Sequence, residues 1–183
     1  MVTIGIVYFS GSGTTAALAE EVIAGITDSG AQAKPFRIQG EQIINGRWDD
    51  EALALQLDDC DAIIFGSPTY MGSTSSQLKS FMDAMSPRWF TQAWRNKVAS
   101  GFTASSLAAG DKANTLIDLT TFAMQMGMIW VGTGENFSAG VNANGFYFGA
   151  GATASSPDQL TDIDRATGRH LGRRVVEVTE RMA

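Results

Sequence analysis

The sequence predicts an α/β fold in which five parallel strands form one sheet covered by helices on both faces. Short apolar runs rich in β-branched residues alternate with amphipathic stretches of helical period along the 183 residues. Segments rich in glycine and hydroxyl side chains follow the first, third and fourth runs. Helical crossovers keep the strands parallel, so these three segments reach the same edge of the sheet. In the strand order 2-1-3-4-5 they are neighbours, and we expect one pocket there.

The first strand and the first helix flank a turn made only of Ser, Gly and Thr. The strand covers Val2 to Phe9, and the helix runs from Ala16 to Ile26 with its apolar residues on one face. Backbone N–H groups are unpaired at a helix N-terminus, and glycine lets a ligand approach them closely. The turn therefore predicts a phosphate site. The candidate residues are Ser10, Gly11, Ser12, Gly13, Thr14 and Thr15.

The turn by itself leaves the bound group open. Gly11, Gly13 and Ala16 fit the dinucleotide fingerprint G-x-G-x-x-A, but the nearest acidic residue after the second strand, Glu41, comes late for that role. A nucleoside-triphosphate loop is excluded because no lysine follows the glycines. The hydroxyls suit a monophosphate that is held without a cation. The simplest alternative is a turn that only joins strand to helix.

The second and third strands flank a short helix. The second strand spans Gln32 to Ile38, and Pro35 within it indicates a position at or near the sheet edge. A polar connection, Gln39 to Arg47, leads to a helix from Asp49 to Leu57. The third strand, Cys60 to Phe65, is almost wholly apolar, which is typical of a central strand buried on both faces.

The middle of the chain predicts a loop, a helix and an aromatic segment. A tight loop, Gly66 to Gly72, joins the third strand to a helix that Ser75 or Ser76 caps and Pro87 stops. An aromatic segment around Trp89 follows the helix.

The fourth strand, Lys97 to Thr103, ends in another loop of small residues, Ala104 to Gly110. Asp111 is expected to cap a helix from Lys112 to Met126, and the fifth strand then covers Met128 to Val131.

A long segment rich in Gly, Ala and Asn, Glu135 to Ser156, is predicted to lack secondary structure. Loops of this length are usually functional or interfacial. The last helix is predicted to begin at Ser156-Pro157-Asp158, with proline at its first helical position, and to run to the C-terminus.

Composition excludes several classes of function. Thirteen basic and nineteen acidic residues leave a formal charge of −6, and no basic run is present, which disfavours nucleic-acid binding. The single cysteine, Cys60, excludes an intrachain disulfide and a cysteine-based zinc site, and we expect no metal. No signal peptide or apolar run of about 18 residues occurs, so we expect a cytoplasmic protein of one domain, residues 1–183, without a membrane span.

The loop after the third strand adds apolar and aromatic surface to the same edge of the sheet. Pro68, Tyr70 and Met71 could contact a flat ring, and Gly66 and Gly72 expose backbone groups beside them. A heteroaromatic ring with one phosphate arm, such as FMN, fits this combination. Ordinary loop packing is the alternative for Tyr70 and Met71.

The motifs Ser10–Thr15, Gly66–Gly72 and Gly101–Lys112 together resemble the flavodoxin superfamily. They are most similar to the WrbA-type NAD(P)H:quinone oxidoreductases and FMN reductases. The resemblance implies a flavodoxin-like three-layer sandwich that binds FMN, with the phosphate at the first turn. It places the ring contacts at Pro68, Thr69, Tyr70, Met71, Gly72, Thr103, Ala104, Ser105, Ser106, Gly110 and Asp111.

The resemblance also implies a homodimer or homotetramer. In this family an aromatic residue of a neighbouring subunit commonly walls the flavin site, and Trp89 is the positional match, although a core tryptophan is an equal alternative. Met126 occupies the position where the family often has a histidine that could seat a substrate. Trp89 and Met126 are therefore the candidate substrate contacts.

Three hypotheses of function follow. In the leading one, NADH or NADPH reduces FMN, and a quinone or similar acceptor takes the electrons, with no side chain acting as a catalytic acid or base. The alternative is a non-enzymatic flavodoxin-type electron carrier whose acidic surface docks a basic redox partner. A dehydrogenase that binds only NAD is the third.

Overall fold

The computed structural model describes all residues from Met1 to Ala183. The strands are β1 Thr3–Tyr8, β2 Gln32–Arg37, β3 Ile43–Ile44, β4 Arg47–Trp48, β5 Ala62–Tyr70, β6 Ser73–Thr74, β7 Val98–Ser105, β8 Ile129–Trp130 and β9 Ala150–Thr153. The α-helices are α1 Thr14–Asp28, α2 Glu51–Asp58, α3 Ser76–Ala84, α4 Ser86–Thr91, α5 Lys112–Gln125 and α6 Asp162–Met182. None of these helices is both long and apolar enough to cross a bilayer.

The main sheet confirms the predicted order, with one addition. Its parallel strands run β2-β1-β5-β7, and the fifth position beside β7 is shared by two short strands. β8 pairs with Val98 and Ala99 near the start of β7, whereas β9 pairs with the four residues from Phe102 to Ser105. The segment from Glu135 to Ser156, predicted to lack secondary structure, therefore supplies half of the fifth strand.

Two hydrophobic cores lie on opposite faces of the sheet, as predicted for a three-layer sandwich. One core packs the sheet against α1 and α6 and includes Ile6 and Leu18. The other packs the sheet against α2, α3 and α5 and includes Val7, Phe65 and Cys60. Successive residues of β1 thus enter different cores, because side chains alternate across a strand.

Close contact between α1 and α6 fixes one outer layer. A Cβ added to Gly25 would lie 2.0 Å from the Arg169 carbonyl oxygen, so glycine is required for this approach of the backbones. Across the same contact, Glu21 on α1 forms ion pairs with Arg165 at 3.1 Å and with Arg169 at 2.6 Å.

Several predicted boundaries were wrong. β5 does not end at Phe65 but continues through the expected loop to Tyr70, because residues up to Pro68 pair with β7. Pro87 does not stop a helix; α3 has already ended, and the proline lies in the first turn of α4, where its missing N–H costs nothing. Asp111 precedes α5 but its side chain makes no capping hydrogen bond, since its backbone is left-handed at φ 52°.

The last helix begins later than expected. Residues 157–159 form a separate 3₁₀ turn, and α6 starts at Asp162. Thr161 caps it by accepting a hydrogen bond from the Asp164 N–H, while the Asp164 carboxylate accepts from the Thr161 backbone. This reciprocal capping box satisfies two terminal donors, which a start at Pro157 would not do.

Candidate functional site

The turn between β1 and α1 presents a row of unpaired backbone donors. The N–H groups of residues 10–15 donate to no acceptor within the protein, and the first internal donor is the N–H of Ala16, which bonds Ser10 Oγ at 3.1 Å. No acidic residue lies in the first turn of α1. The helix dipole adds partial positive charge at the same place. The turn therefore has the donors and the potential that an anion requires.

The turn also has a hydroxyl without a partner. Thr15 is only 2% exposed, and its side chain makes no hydrogen bond within the protein. Ser12 and Thr14 share a weak contact of 3.4 Å between their hydroxyl oxygens. The Thr15 hydroxyl oxygen is not one of the fully buried polar atoms that lack a partner, so solvent reaches it at the mouth of the turn and it is free to bond a ligand there.

The loops after β1, β5 and β7 meet at one edge of the sheet, as the strand order predicted. A Cβ added to Gly11 would lie 2.3 Å from Tyr70 Oη, so the Tyr70 side chain reaches the first turn. On the other side, a Cβ added to Gly72 would lie 3.7 Å from Asp111 Oδ2, and Asn114 donates to the Gly72 carbonyl at 2.7 Å. Three sequence-distant segments therefore contact one another in a row.

The middle segment is a hairpin and not the irregular loop that we predicted. β5 and β6 pair through Thr69–Thr74 and Tyr70–Ser73, with Met71 and Gly72 as a two-residue turn. Both turn residues have positive φ, 49° and 82°, as in a type I′ turn. Met71 is fully exposed. The hairpin thus holds an apolar side chain out from the sheet edge on a strained backbone.

A chain of buried hydroxyls supports this hairpin from below. Thr69 Oγ1 lies 2.9 Å from Thr103 Oγ1 and 2.8 Å from Thr115 Oγ1. Thr69 and Thr103 are predicted cofactor contacts; the structure buries both and pairs their hydroxyls, and their contact with a cofactor stays a prediction. Their hydroxyls join β5, β7 and α5, so they position the rim.

The remaining candidates divide by exposure. Buried beneath the edge are Ser10, Thr14, Pro68 and Ala104. Exposed or half-exposed at the edge are Gly11, Ser12, Gly13, Tyr70, Met71, Gly72, Ser105, Ser106, Gly110 and Asp111. The second set could touch a ligand, through backbone atoms at the glycines and through side chains at the other positions.

The loop after β7 is held by a lysine that sequence reasoning missed as a site residue. Lys112 is 0% exposed, and its ammonium group lies 2.7 Å from the Leu107 carbonyl and 2.9 Å from the Ala108 carbonyl. It also donates to Ser105 Oγ and to Thr153 Oγ1, each at 3.0 Å. Burial lowers the pKa of Lys112. The sequence carried no signal for this, because a lysine at a helix start usually faces solvent.

Arg37 is the second residue that was missed. Its Nη2 donates to the Ser10 carbonyl at 2.9 Å, which brings a cation to a turn that we expected to hold a phosphate without one. The signal was available, because Arg37 ends β2 and the ends of neighbouring parallel strands lie side by side.

A cavity of about 850 Å³ borders the hairpin. Tyr70 and Met71 line one side, and α3, α4 and α5 supply the rest of the wall. Both predicted substrate contacts, Trp89 and Met126, line it too, although Met126 is only 2% exposed. Trp89 is 43% exposed, so it is not a core residue. The cavity does not extend to the first turn.

Comparison with known proteins assigns this arrangement to a family. The family model described as NADPH-dependent FMN reductase matches residues 4–142. The chain belongs to that family. The match confirms the predicted flavodoxin-like family and an FMN-dependent oxidoreductase that uses NAD(P)H.

The relatives of this FMN reductase family member include both a protein named as a flavodoxin and proteins named as quinone-linked dehydrogenases. The chain is 42% identical over 158 residues to flavodoxin FldP of Pseudomonas aeruginosa, covering 83% of this chain and 80% of that protein. It is 31% identical over the full length of both chains to an NAD(P)H dehydrogenase (quinone) of Archaeoglobus fulgidus. The crystal structure of a WrbA-like flavodoxin from Agrobacterium tumefaciens covers both chains fully, with TM-score 0.79 and 36% identity.

The residues of the first turn fit the phosphate of FMN. Six amide donors without acceptors and the free Thr15 hydroxyl match a dianion held at the helix N-terminus. Glycine at position 11 leaves room for the Tyr70 hydroxyl to lie against the turn, since a Cβ there would be 2.3 Å from Tyr70 Oη. The role of each candidate residue toward FMN remains a prediction.

Proposed function

We propose that this protein transfers electrons from NAD(P)H, through bound FMN, to a quinone or a similar acceptor. The observation that supports this most is the turn of unpaired amides beside an exposed apolar hairpin in a member of the FMN reductase family. The relative from Archaeoglobus fulgidus, named as a quinone-linked NAD(P)H dehydrogenase, favours a quinone as acceptor.

Each loop has a separate task in this proposal. Residues 10–15 hold the phosphate through backbone donors and hydroxyls. Residues 68–72 and 103–111 hold the ring, with Tyr70 and Met71 as its apolar contacts and Lys112 fixing the second loop from behind. FMN, when bound, supplies hydride acceptance and electron delivery. No side chain acts as a catalytic acid or base.

The cavity beside the hairpin is the proposed place for nicotinamide and acceptor. Its wall combines Tyr70, Met71 and Trp89 with polar groups of α3 and α5, and flat, largely apolar molecules suit such a wall. Met126 lies at the predicted substrate position in the same cavity. Substrates there would approach the ring from the hairpin side.

We propose a homodimer or homotetramer in which Trp89 of one subunit reaches the ring-side loops of a neighbour. Trp89 is 43% exposed, and the adjacent Phe90 is more exposed still, so α4 presents two aromatic side chains outward. The cytoplasmic location expected from the sequence stays a prediction.

Spectroscopy of the purified protein tests the proposal. We expect the absorption bands of oxidised FMN after reconstitution, bleaching of these bands by NADH or NADPH without oxygen, and their return when a water-soluble quinone is added. FMN binding without bleaching by either nucleotide would contradict the proposed enzyme.

A glycine pair tests the first turn together with the Tyr70 side chain that lies against it. Gly11→Ala places a Cβ 2.3 Å from Tyr70 Oη and should lower FMN content strongly. The matched control is Gly40→Ala, because nothing lies within 4 Å of a Cβ there. Equal FMN content in both variants would argue against this turn as the phosphate site.

A non-enzymatic electron carrier is the second candidate, favoured by the 42% identity to flavodoxin FldP and by the net charge of −6. A carrier should be a monomer in gel filtration, and its reductive titration should proceed in two separate one-electron steps. An oligomer that takes two electrons together from NAD(P)H supports the enzyme.

A further inference from the structure

Arg37 lies beside the phosphate turn because of strand register. It is the last residue of β2 and pairs with Tyr8, the last residue of β1. The Ile38 N–H continues this pairing by donating to the Tyr8 carbonyl at 2.8 Å. From there the guanidinium reaches the Ser10 carbonyl at 2.9 Å. The positive charge is thus tied to the first residue of the turn.

This guanidinium has no anionic partner within the protein. The ion pairs of the chain involve Lys79, Arg88, Arg165, Arg169 and Arg181, and Arg37 is absent from them. A guanidinium has five N–H donors, and the one bond to Ser10 is the only hydrogen bond that this side chain makes.

No carboxylate of the chain neutralises it. Burial raises the pKa of Tyr8, the charge of Arg37 lowers it partly, and Glu20 raises it. Glu20, whose charge also acts on Tyr8, forms no ion pair with Arg37. Arg37 is exposed, so water can reach its remaining donors, but its guanidinium is fixed at the first residue of a turn with six unpaired amides. A phosphate held by those amides would therefore lie close to a positive charge that no carboxylate of the chain neutralises.

We propose that Arg37 is the counter-cation of the FMN phosphate and makes the site prefer FMN over riboflavin. The inference rests on the proposed function, which places the phosphate at residues 10–15. Charge-assisted bonds to phosphate are about twice as strong as neutral ones, and arginine has the geometry for them. The bond to the Ser10 carbonyl holds the side chain in place, so less rotamer entropy is lost on binding.

Riboflavin has the same ring as FMN but no phosphate. A comparison of the two ligands therefore distinguishes an effect of Arg37 on phosphate binding from an effect on ring binding. Quenching of flavin fluorescence gives the Kd of the flavin-free protein for both ligands. We expect Arg37→Gln to raise the Kd for FMN about tenfold, or about 1.4 kcal/mol, and to change the Kd for riboflavin less than about twofold. Since exposed charges are screened, added salt should weaken FMN binding more in wild type than in this variant.

Arg95→Gln is the matched control. Arg95 is exposed and makes no ion pair, and it lies just before the amino end of β7, away from the loops at the carboxyl ends of the strands. Its replacement by glutamine changes the net charge by the same amount as Arg37→Gln. Its Kd for FMN should stay within about twofold of wild type. Arg37→Lys keeps the charge and should retain most of the preference for FMN over riboflavin. This variant tests the role of the charge even if Arg37→Gln folds poorly.

The outcomes separate this inference from the proposed function. Wild-type protein that fails to bind FMN would overturn both. Tight FMN binding that Arg37→Gln leaves unchanged, or that it weakens equally for FMN and riboflavin, would overturn only the role of Arg37.

Discussion

Replacing Lys112 with methionine removes a buried charge, its four hydrogen bonds and its contact with the Phe146 ring, whose centroid is 5.5 Å from Nζ. Lys112 begins α5, is fully buried, and joins the loop after β7 to Thr153 on β9. Methionine keeps an unbranched apolar stem of similar length but donates no hydrogen bond. The change therefore tests whether the ammonium group holds these two segments together.

The expected loss of stability is about 2–3 kcal/mol. Two carbonyl oxygens and two hydroxyls lose their shared donor, and each buried acceptor left without one costs about 1–3 kcal/mol. Two effects reduce the sum: Leu107 and Ala108 are exposed enough for water to replace the lysine, and removing a buried cation relieves its desolvation. For a chain of this size the loss corresponds to a Tm lower by about 4–12 °C.

Urea unfolding of wild type, Lys112→Met and the control Lys79→Met measures this loss. Lys79 is exposed and pairs only with Asp83 one helical turn away, so its replacement should cost less than about 0.5 kcal/mol. The m-values should agree, which assigns the change to stability and not to compactness. A Lys112→Met protein within about 0.5 kcal/mol of wild type would refute the assigned role of the ammonium group.

Two further predictions concern pH and the strained hairpin. Burial alone would raise the pKa of Glu21, but hydrogen bonds from the two α6 arginines outweigh it, so the pKa lies below its ordinary value. The stability from this ion pair should be complete above the unfolded pKa of about 4.3 and fade as pH falls through the lower folded-state value. Glu21→Gln should thus be less stable than wild type by urea unfolding at pH 7, by a gap that narrows as the pH is lowered below about 4.3, and a gap independent of pH would contradict this. Met71→Asn should raise the free energy of unfolding by about 0.5–1 kcal/mol, because asparagine tolerates positive φ better than methionine, and a less stable variant would show that Met71 makes a needed contact.

The fold could be predicted largely because its signals are local. The apolar run of β1, the small residues after it and the one-sided helix α1 lie within 30 residues of one another. Each later strand repeats a similar pattern, so the number of strands could be predicted from hydrophobic periodicity. The handedness of the crossover connections then predicted that the loops meet at the carboxyl ends of the strands. The position of Tyr70 and Met71 at this edge followed in the same way, and their contact with a ligand stays a prediction.

Features that depend on distant partners could not be found. Ala150–Thr153 has only small residues and no apolar alternation, and it becomes a strand because β7 leaves an edge free beside Phe102–Ser105. Gly66–Pro68 contains a proline and is typical of a loop, yet pairing with β7 keeps it extended. In both cases the hydrogen-bond partner lies more than 30 residues away.

The sequence by itself determines the pattern of strands, helices and glycine-rich turns. The hydrophobic period and the conformational preferences of turn residues depend only on residues a few positions apart. The charges of the site are different. Whether a lysine is buried beneath a loop, or an arginine lies over a turn, depends on which strands and helices come to flank it after folding. Lys112 therefore meets its partners only in the folded protein. For Arg37 the position at the end of β2 could be predicted, but only the tertiary structure directs its guanidinium to the Ser10 carbonyl.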